Sequence, residues 1–148
     1  DLDSLTFLNC TKCDELFLVP KQFNDWWVLK PLGSGGFGMV YQAVHKEHNH
    51  IEAAVKVINS QEAATAEREA LIQEASTAKL FGEHPNLSYV YNYGYDDGCS
   101  FMIMQKIHGE RLDHIIDNHP TGLPLELSLY YTLDILEALN HILSTNHL

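Results

Sequence analysis

Leu32-Gly33-Ser34-Gly35-Gly36-Phe37-Gly38-Met39-Val40-Tyr41 and, one turn later, Ala53-Ala54-Val55-Lys56-Val57 are the residues on which the fold turns. Glycines at 33, 35 and 38 give a backbone that bends where a side chain would clash. Such a backbone can lie close over a phosphate and aim its N–H groups at it. The same spacing also opens a dinucleotide-binding turn, in which the glycines stand between a strand and a helix. The run after the last glycine, Met39-Val40-Tyr41-Gln42-Ala43-Val44, is β-type and carries no helical period. The glycines therefore read as the bend of a hairpin that ties one strand to the next. On the lysine strand side chains alternate, so Ala54, Lys56 and Ile58 share one face and Val55 and Val57 the other. One face is expected to carry a ligand and the other the core.

A hairpin flap followed by a strand with one lysine resembles the N-terminal lobe of a eukaryotic-type protein kinase. The G-x-G-x-x-G-x-V loop and the V-A-I-K-like strand, here Ala53-Ala54-Val55-Lys56, occur in that order and at that spacing. The resemblance implies an α+β fold: a protein-kinase-like N-lobe, built as a twisted antiparallel sheet with one packed helix, followed by the first helices of the C-lobe. It places Leu32 in the nucleotide-binding set and lays Gly33, Ser34, Gly35, Gly36, Phe37 and Gly38 over the phosphates of ATP. It sets Val40 and Ala54 against the adenine, and pairs Lys56 with the α- and β-phosphates.

Residues 61–81 are rich in Ala and Glu and read as a helix. Leu71, Glu74, Ala75 and Ala78 share one of its faces. A carboxylate on such a small, apolar face needs a partner, because a lone buried charge is costly. Lys56 is the candidate, and in the kinase family a helix glutamate holds the strand lysine in this way. Glu74 lies at the family's spacing; Glu67 and Glu69 compete, with a solvated helix surface as their alternative. Gly82 and Pro85 end the helix, and His84-Pro85-Asn86 resembles the family's helix-to-strand loop, which makes His84 structural. Leu87–Tyr95 and Ser100–Met104 read as strands joined by a tight turn at Asp96-Asp97-Gly98. Gln105-Lys106-Ile107-His108-Gly109 resembles the kinase hinge. By that match Met104 guards the back pocket and Gln105 to Ile107 offer main-chain groups to the adenine; a plain linker ending at Gly109 is the alternative.

The expected division is an N-terminal extension at 1–25, a kinase-like N-lobe at 26–104, a hinge at 105–109 and the start of a helical C-lobe at 110–148. In the extension, Phe7-Leu8 and Leu16–Val19 flank a cysteine turn as a short hairpin, and Trp26–Lys30 is the first strand of the lobe. Both tryptophans read as packing residues. Helices are expected at 110–118 and from about Leu125 to Leu143. The last carries two apolar stripes: Leu129, Leu133, Leu136 and Leu143, and Tyr131, Ile135, Ala138 and Ile142, with Leu139 broadening the surface. The remainder of a C-lobe, or a partner, is expected to cover it, and the piece by itself is expected to self-associate or be unstable.

Composition narrows the classes. A net charge of -11, from 20 acidic and 9 basic residues in 148, argues against a nucleic-acid surface. No apolar run is long enough to span a bilayer, and the first residues lack a signal-peptide pattern. A cytoplasmic protein with no membrane or nucleic-acid partner is expected, and the opening on Asp1 suggests a trimmed piece. Cys10, Cys13 and Cys99 form no disulfide framework. Cys10-x-x-Cys13 could be half of a zinc knuckle, but a hairpin with two free thiols is the better reading. His45, His48 and His50 read as a polar hairpin loop rather than a metal site, so no metal ligands are expected in this chain.

In the kinase family the helix ending near His141 leads into an H-R-D-x-x-x-x-N loop, and beyond it a D-F-G carries a metal-binding Asp. Neither pattern occurs in this sequence. The reading is therefore the ATP-binding portion of a protein serine/threonine kinase, with Lys56 and Glu74 as its catalytic pair. ATP is expected as cofactor, with Mg²⁺ held by ligands outside this chain, and a protein hydroxyl as phosphate acceptor. By itself the chain is expected to be inactive. A pseudokinase or kinase-derived interaction module, and a small-molecule phosphotransferase, are the alternatives.

Overall fold

The computed structural model describes residues 5–35, 38–59 and 64–145. The elements are β1 (Phe7–Asn9), β2 (Leu16–Leu18), β3 (Lys21–Phe23), β4 (Trp26–Gly35), β5 (Gly38–His45), β6 (Glu52–Asn59), α1 (Thr65–Leu80), β7 (Val90–Asp96), β8 (Cys99–Gln105), α2 (Leu112–Asp117) and α3 (Leu125–Thr145). β1 and β2 form a separate hairpin, as expected. The other strands make one antiparallel sheet in the order β3-β4-β5-β6-β8-β7. The fold is thus the expected α+β arrangement of a curled antiparallel sheet with a helix against it.

The sheet begins earlier than the sequence suggests. Asn24-Asp25, read as punctuation, is the two-residue turn of a tight hairpin that sets Phe23 opposite Trp26. Asn24 takes φ 51°, a left-handed conformation that Asn tolerates better than most residues. The result is a strand upstream of Trp26 whose Lys21 and Phe23 are both buried.

Both faces of the sheet carry a core. Val55, Val57, Ala43, Phe101 and Ile103 face outward and are covered by Leu18, Phe23 and Trp26. Phe23 meets Phe101 at 4.7 Å between ring centroids, and Trp26 stacks on Tyr91 at 5.2 Å. Trp27, its neighbour, is largely exposed, so only one tryptophan is a core residue. On the inner face, Ile58, Met102 and Val90 pack against Leu71 and Ala75 of α1. The expectation of one ligand face and one core face therefore holds only in part: the inner face is shared between α1 and an open strip beside the glycine hairpin.

α1 starts at Thr65, and positions 61–63 of the expected helix lie outside the described residues. Gly82, at φ 67°, stops it where a side chain would be strained. α2 and α3 fall close to their expected spans. Asp113, in the first turn of α2, is bracketed by Arg111, which holds its carboxyl down to about 2.

α3 leaves its leucine stripe uncovered and meets the rest of the chain along another seam. Ala138 is buried, while Leu129, Leu133, Leu136, Leu139 and Leu143 are exposed. The contact runs through polar groups: Asn86 Nδ2 donates to the Asp134 carbonyl at 3.0 Å, and His141 Nε2 lies 2.5 Å from the Phe81 carbonyl. The His84 ring lies tilted against that of His141, with centroids 4.7 Å apart. His84 is therefore structural, as its place in the loop suggested. Among the described residues no helix is long and apolar enough to cross a membrane.

Candidate functional site

The glycine hairpin is built by β4 and β5. β4 slips register between Val28 and Lys30 and again between Pro31 and Gly33. Proline lacks the N–H a regular ladder needs and is tolerated at such bulges, which also bend the strand. The ladder then closes with Gly33 opposite Val40 and Gly35 opposite Gly38. Sheet, not helix, continues from Gly38, which removes the dinucleotide-turn alternative. Gly38 adopts φ 153°, and a Cβ there would stand 2.4 Å from the Val57 carbonyl oxygen. Glycine is required at this position by close approach to β6. At Gly33 and Ser34 the strand is exposed, and a Cβ at Gly33 would meet nothing within 4 Å. Leu32 is also exposed; Gly36 and Phe37 lie outside the described residues.

Beneath this hairpin β6 presents its row. Val40 pairs with Lys56, Gln42 with Ala54, and Ala54 with Met104 across the sheet. Residues directly opposite in an antiparallel pair project to the same side. Val40, Ala54, Lys56 and Met104 therefore share one face. Lys56 is mostly enclosed at 16% exposure, and its Nζ lies 2.7 Å from Glu74 Oε2. Glu74 is 53% exposed, because it sits at the margin of the α1 stripe that buries Leu71 and Ala75. The two competitors are accounted for otherwise. Glu67 Oε2 accepts the Ala64 backbone N–H at 3.0 Å and caps the start of α1. Glu69 lines a cavity with Thr65, Arg68 and Tyr95.

The stretch after β8 is tied down at both ends. The Gln105 N–H donates to the Tyr89 carbonyl at 2.8 Å, and Ile107 is exposed. Glu52, at the start of β6, takes Lys106 Nζ at 2.6 Å and the amide of Gln42, with His108 at 3.6 Å. The Lys106 hydrogen bond holds the Glu52 carboxyl below its ordinary range, against a smaller opposing effect of burial. The sequence reading missed this cluster. Its signal was the alternation of β6, which puts Glu52 on the row of Ala54 and Lys56, facing a lysine in the hinge-like segment.

Cys10 and Cys13 are free thiols on the β1–β2 hairpin. At the β5–β6 turn His45 stacks on His48, and His50 lies tilted to His48 with ring centroids 6.0 Å apart. Among the described residues no group of three or more His, Cys, Asp or Glu side chains is arranged to hold a metal ion.

A family model described as the protein kinase domain matches residues 26–148. The chain belongs to the protein kinase family. Among its relatives, mouse Aurora kinase C is 31% identical over 124 residues, covering 84% of this chain and 43% of that protein. Rat serine/threonine-protein kinase D2 is 31% identical over 111 residues, covering 75% of this chain and 12% of the relative. A crystal structure of the Mycobacterium tuberculosis PknI kinase domain superposes with a TM-score of 0.68 at 26% identity, over 85% of this chain and 51% of that one. The chain thus spans about half or less of each relative.

Proposed function

We propose that this chain is the nucleotide-holding part of a serine/threonine protein kinase that moves the γ-phosphate of ATP to a protein hydroxyl. The observation that carries this reading is the Lys56–Glu74 pair, on the same sheet face as Val40 and Ala54 and beneath the Gly33–Gly38 hairpin. The division keeps a hinge at 105–109 and a C-lobe opening at 110–148, but the N-lobe expected at 26–104 takes in β3 from the 1–25 extension, because Lys21–Phe23 pairs with β4.

The residues present suit a nucleotide. An enclosed ammonium is fixed by a carboxylate from α1, so its position is set before any ligand arrives, and preorganised charge is the main catalytic device in phosphoryl transfer. Lys56 would hold the α- and β-phosphates, and Glu74 keeps its ammonium from swinging away. Gly33 to Gly38 would lie over the phosphates, and Leu32, Val40 and Ala54 would enclose the base, with Met104 behind it. The Gln105 N–H is engaged with Tyr89 and its carbonyl takes the Ser88 hydroxyl at 3.4 Å, so Gln105 would offer the second lone pair of that carbonyl, and Ile107 its N–H. When bound, ATP supplies the transferable phosphoryl group and Mg²⁺ offsets its charge. The H-R-D-x-x-x-x-N and D-F-G groups that place a base and the metals are absent from these residues, so the 148-residue chain does not transfer phosphate unaided.

The test is ATP binding and turnover by the complete protein and its Lys56→Ala variant. Turnover is expected to fall about 100-fold or more, the scale of removing one preorganised charge contact, with the unfolding temperature nearly unchanged. Wild-type turnover in the variant overturns the assignment of Lys56. Nucleotide binding without turnover in the wild-type protein makes it a pseudokinase.

A further inference from the structure

The tip of the β1–β2 hairpin holds the chain's two neighbouring thiols, and the kinase reading does not use them. The ladder ends with Asn9 opposite Leu16. Beyond it the Cys10 N–H donates to the Glu15 carbonyl at 2.8 Å, and the Asp14 N–H returns to the Cys10 carbonyl at 2.9 Å. Asp14 takes φ 56° to make that return. The turn is thus closed by two backbone hydrogen bonds that fix Cys10 and Cys13 on one small loop. The Cys10 sulfur faces the backbone N–H groups of Lys12 and Cys13 and the thiol of Cys13 itself. Cys13 is exposed and its Sγ lies 4.0 Å from Glu15 Oε2; Cys10 is half-buried. Cys99, the third cysteine, is buried on β8 in the sheet core and belongs to a different part of the molecule.

Three conditions make a thiol pair exchange with disulfides: one sulfur with thiolate character, access from solvent, and a second sulfur within reach to resolve the adduct. All three meet here. The N–H groups of Lys12 and Cys13 lower the Cys10 thiol from its ordinary range. Metal binding is the competing use of such a pair, but a structural zinc wants four ligands. Glu15 stands beside Cys13, but among the described residues no group of three or more His, Cys, Asp or Glu side chains is arranged to hold a metal ion.

We propose that Cys10 and Cys13 form a reversible dithiol–disulfide couple, a redox site at the tip of the β1–β2 hairpin whose oxidant is a small disulfide such as oxidised glutathione. The Cys10 thiolate attacks one sulfur of the small disulfide; that S–S bond breaks, one glutathione thiolate leaves, and Cys10 carries the other half as a mixed disulfide. Cys13 gives its proton to solvent and attacks the Cys10 sulfur. The Cys10–Cys13 bond forms as the second glutathione thiolate departs, and both leaving thiolates take up protons. Two protein thiols are oxidised and one small disulfide is reduced to two thiols, so atoms and electrons balance.

Lys12 lies between the two cysteines, which gives a direct readout. The intact protein is equilibrated in glutathione buffers of stepped redox ratio, trapped with iodoacetamide and digested with trypsin, which cuts after Lys12. Peptides ending at Lys12 and beginning at Cys13 are expected to stay linked in the oxidised samples and to separate on reduction, in a single two-electron transition. In Cys13→Ser the glutathione adduct on Cys10 is expected to accumulate several-fold more than the adduct on Cys13 in Cys10→Ser. Stable single adducts or disulfide-linked dimers of the wild-type protein, without linked peptides, overturn the proposal. So does a zinc ion held by both sulfurs that blocks exchange. Because the wild-type measurement decides it, the proposal does not depend on either variant, and its failure would leave the nucleotide reading untouched.

Discussion

Replacing Gly38 by alanine, with Gly33→Ala as its control, tests whether the glycine hairpin is seated as described. The two glycines belong to the same motif but meet different surroundings. A Cβ at Gly38 would stand 2.4 Å from the Val57 carbonyl oxygen and 2.9 Å from Ile58 Cγ1, at φ 153°. An L-residue held in so sparsely populated a conformation costs about 1–3 kcal/mol. The contact is with backbone, so relief requires β5 to move off β6 where Met39 opposes Val57. Loosening one ladder hydrogen bond there adds about 1 kcal/mol. Gly38→Ala should therefore destabilise by about 2–4 kcal/mol. For a domain of this size that lowers the unfolding temperature by about 5–15 °C. Gly33→Ala meets open space in an exposed strand and should be neutral or stabilise by about 0.5 kcal/mol, because alanine restricts the unfolded chain. Thermal and urea unfolding of the two variants beside the wild-type protein make the comparison. Equal losses for both, or a larger loss at Gly33, would refute the seating of Gly38 on β6.

Glu52→Gln should flatten the acid limb of stability. Lys106 holds the Glu52 carboxyl below its ordinary 4.5, so the unfolded chain binds more protons in acid than the folded one. The stability this group contributes is present above the ordinary value and is lost as pH falls through the depressed folded value. Urea midpoints taken from neutral pH to below that range should fall less steeply in the variant, and an unchanged slope counts against the Lys106 contact. Asn86→Ala should loosen α3 from the loop after α1 by about 0.5–1.5 kcal/mol, one hydrogen bond's worth. Hydrogen exchange should then rise in α3 around Asp134 and Glu137 while β6 stays protected; uniform change across the chain would contradict a local joint.

How much of this was legible depends on the range of the interactions. The strand after Gly38, the lysine strand and the core stripe of α1 are local patterns of period 2 or 3.6, and the sequence displays them directly. Glu74 could be chosen over Glu67 and Glu69 only with help from the family's spacing, since face geometry alone left Glu67 in play. The structure separates them by giving Glu67 a capping role. β3 was hidden because three residues show no period, and its turn residues look like any loop. The Glu52 cluster was hidden because its members come from β5, β6 and the segment after β8, and only the assembled sheet joins them. On α3 the leucine pattern marks the surface left uncovered, not the one that docks. The seam that docks is Asp134, Glu137, Ala138 and His141, held by hydrogen bonds to a loop. Hydrophobic periodicity carries no information about such a joint.

The kinase-family match begins at Trp26, yet Leu18 and Phe23, just upstream, fill the layer over Val55 and Phe101. The homology border therefore cuts through greasy interior, not through a tether. A chimaera that grafted another kinase's leader onto this one at Trp26 would leave a hole above the sheet. Swapped lobes should keep their residues 5–25, and a survey that trims relatives to the shared region would discard part of what seals the fold.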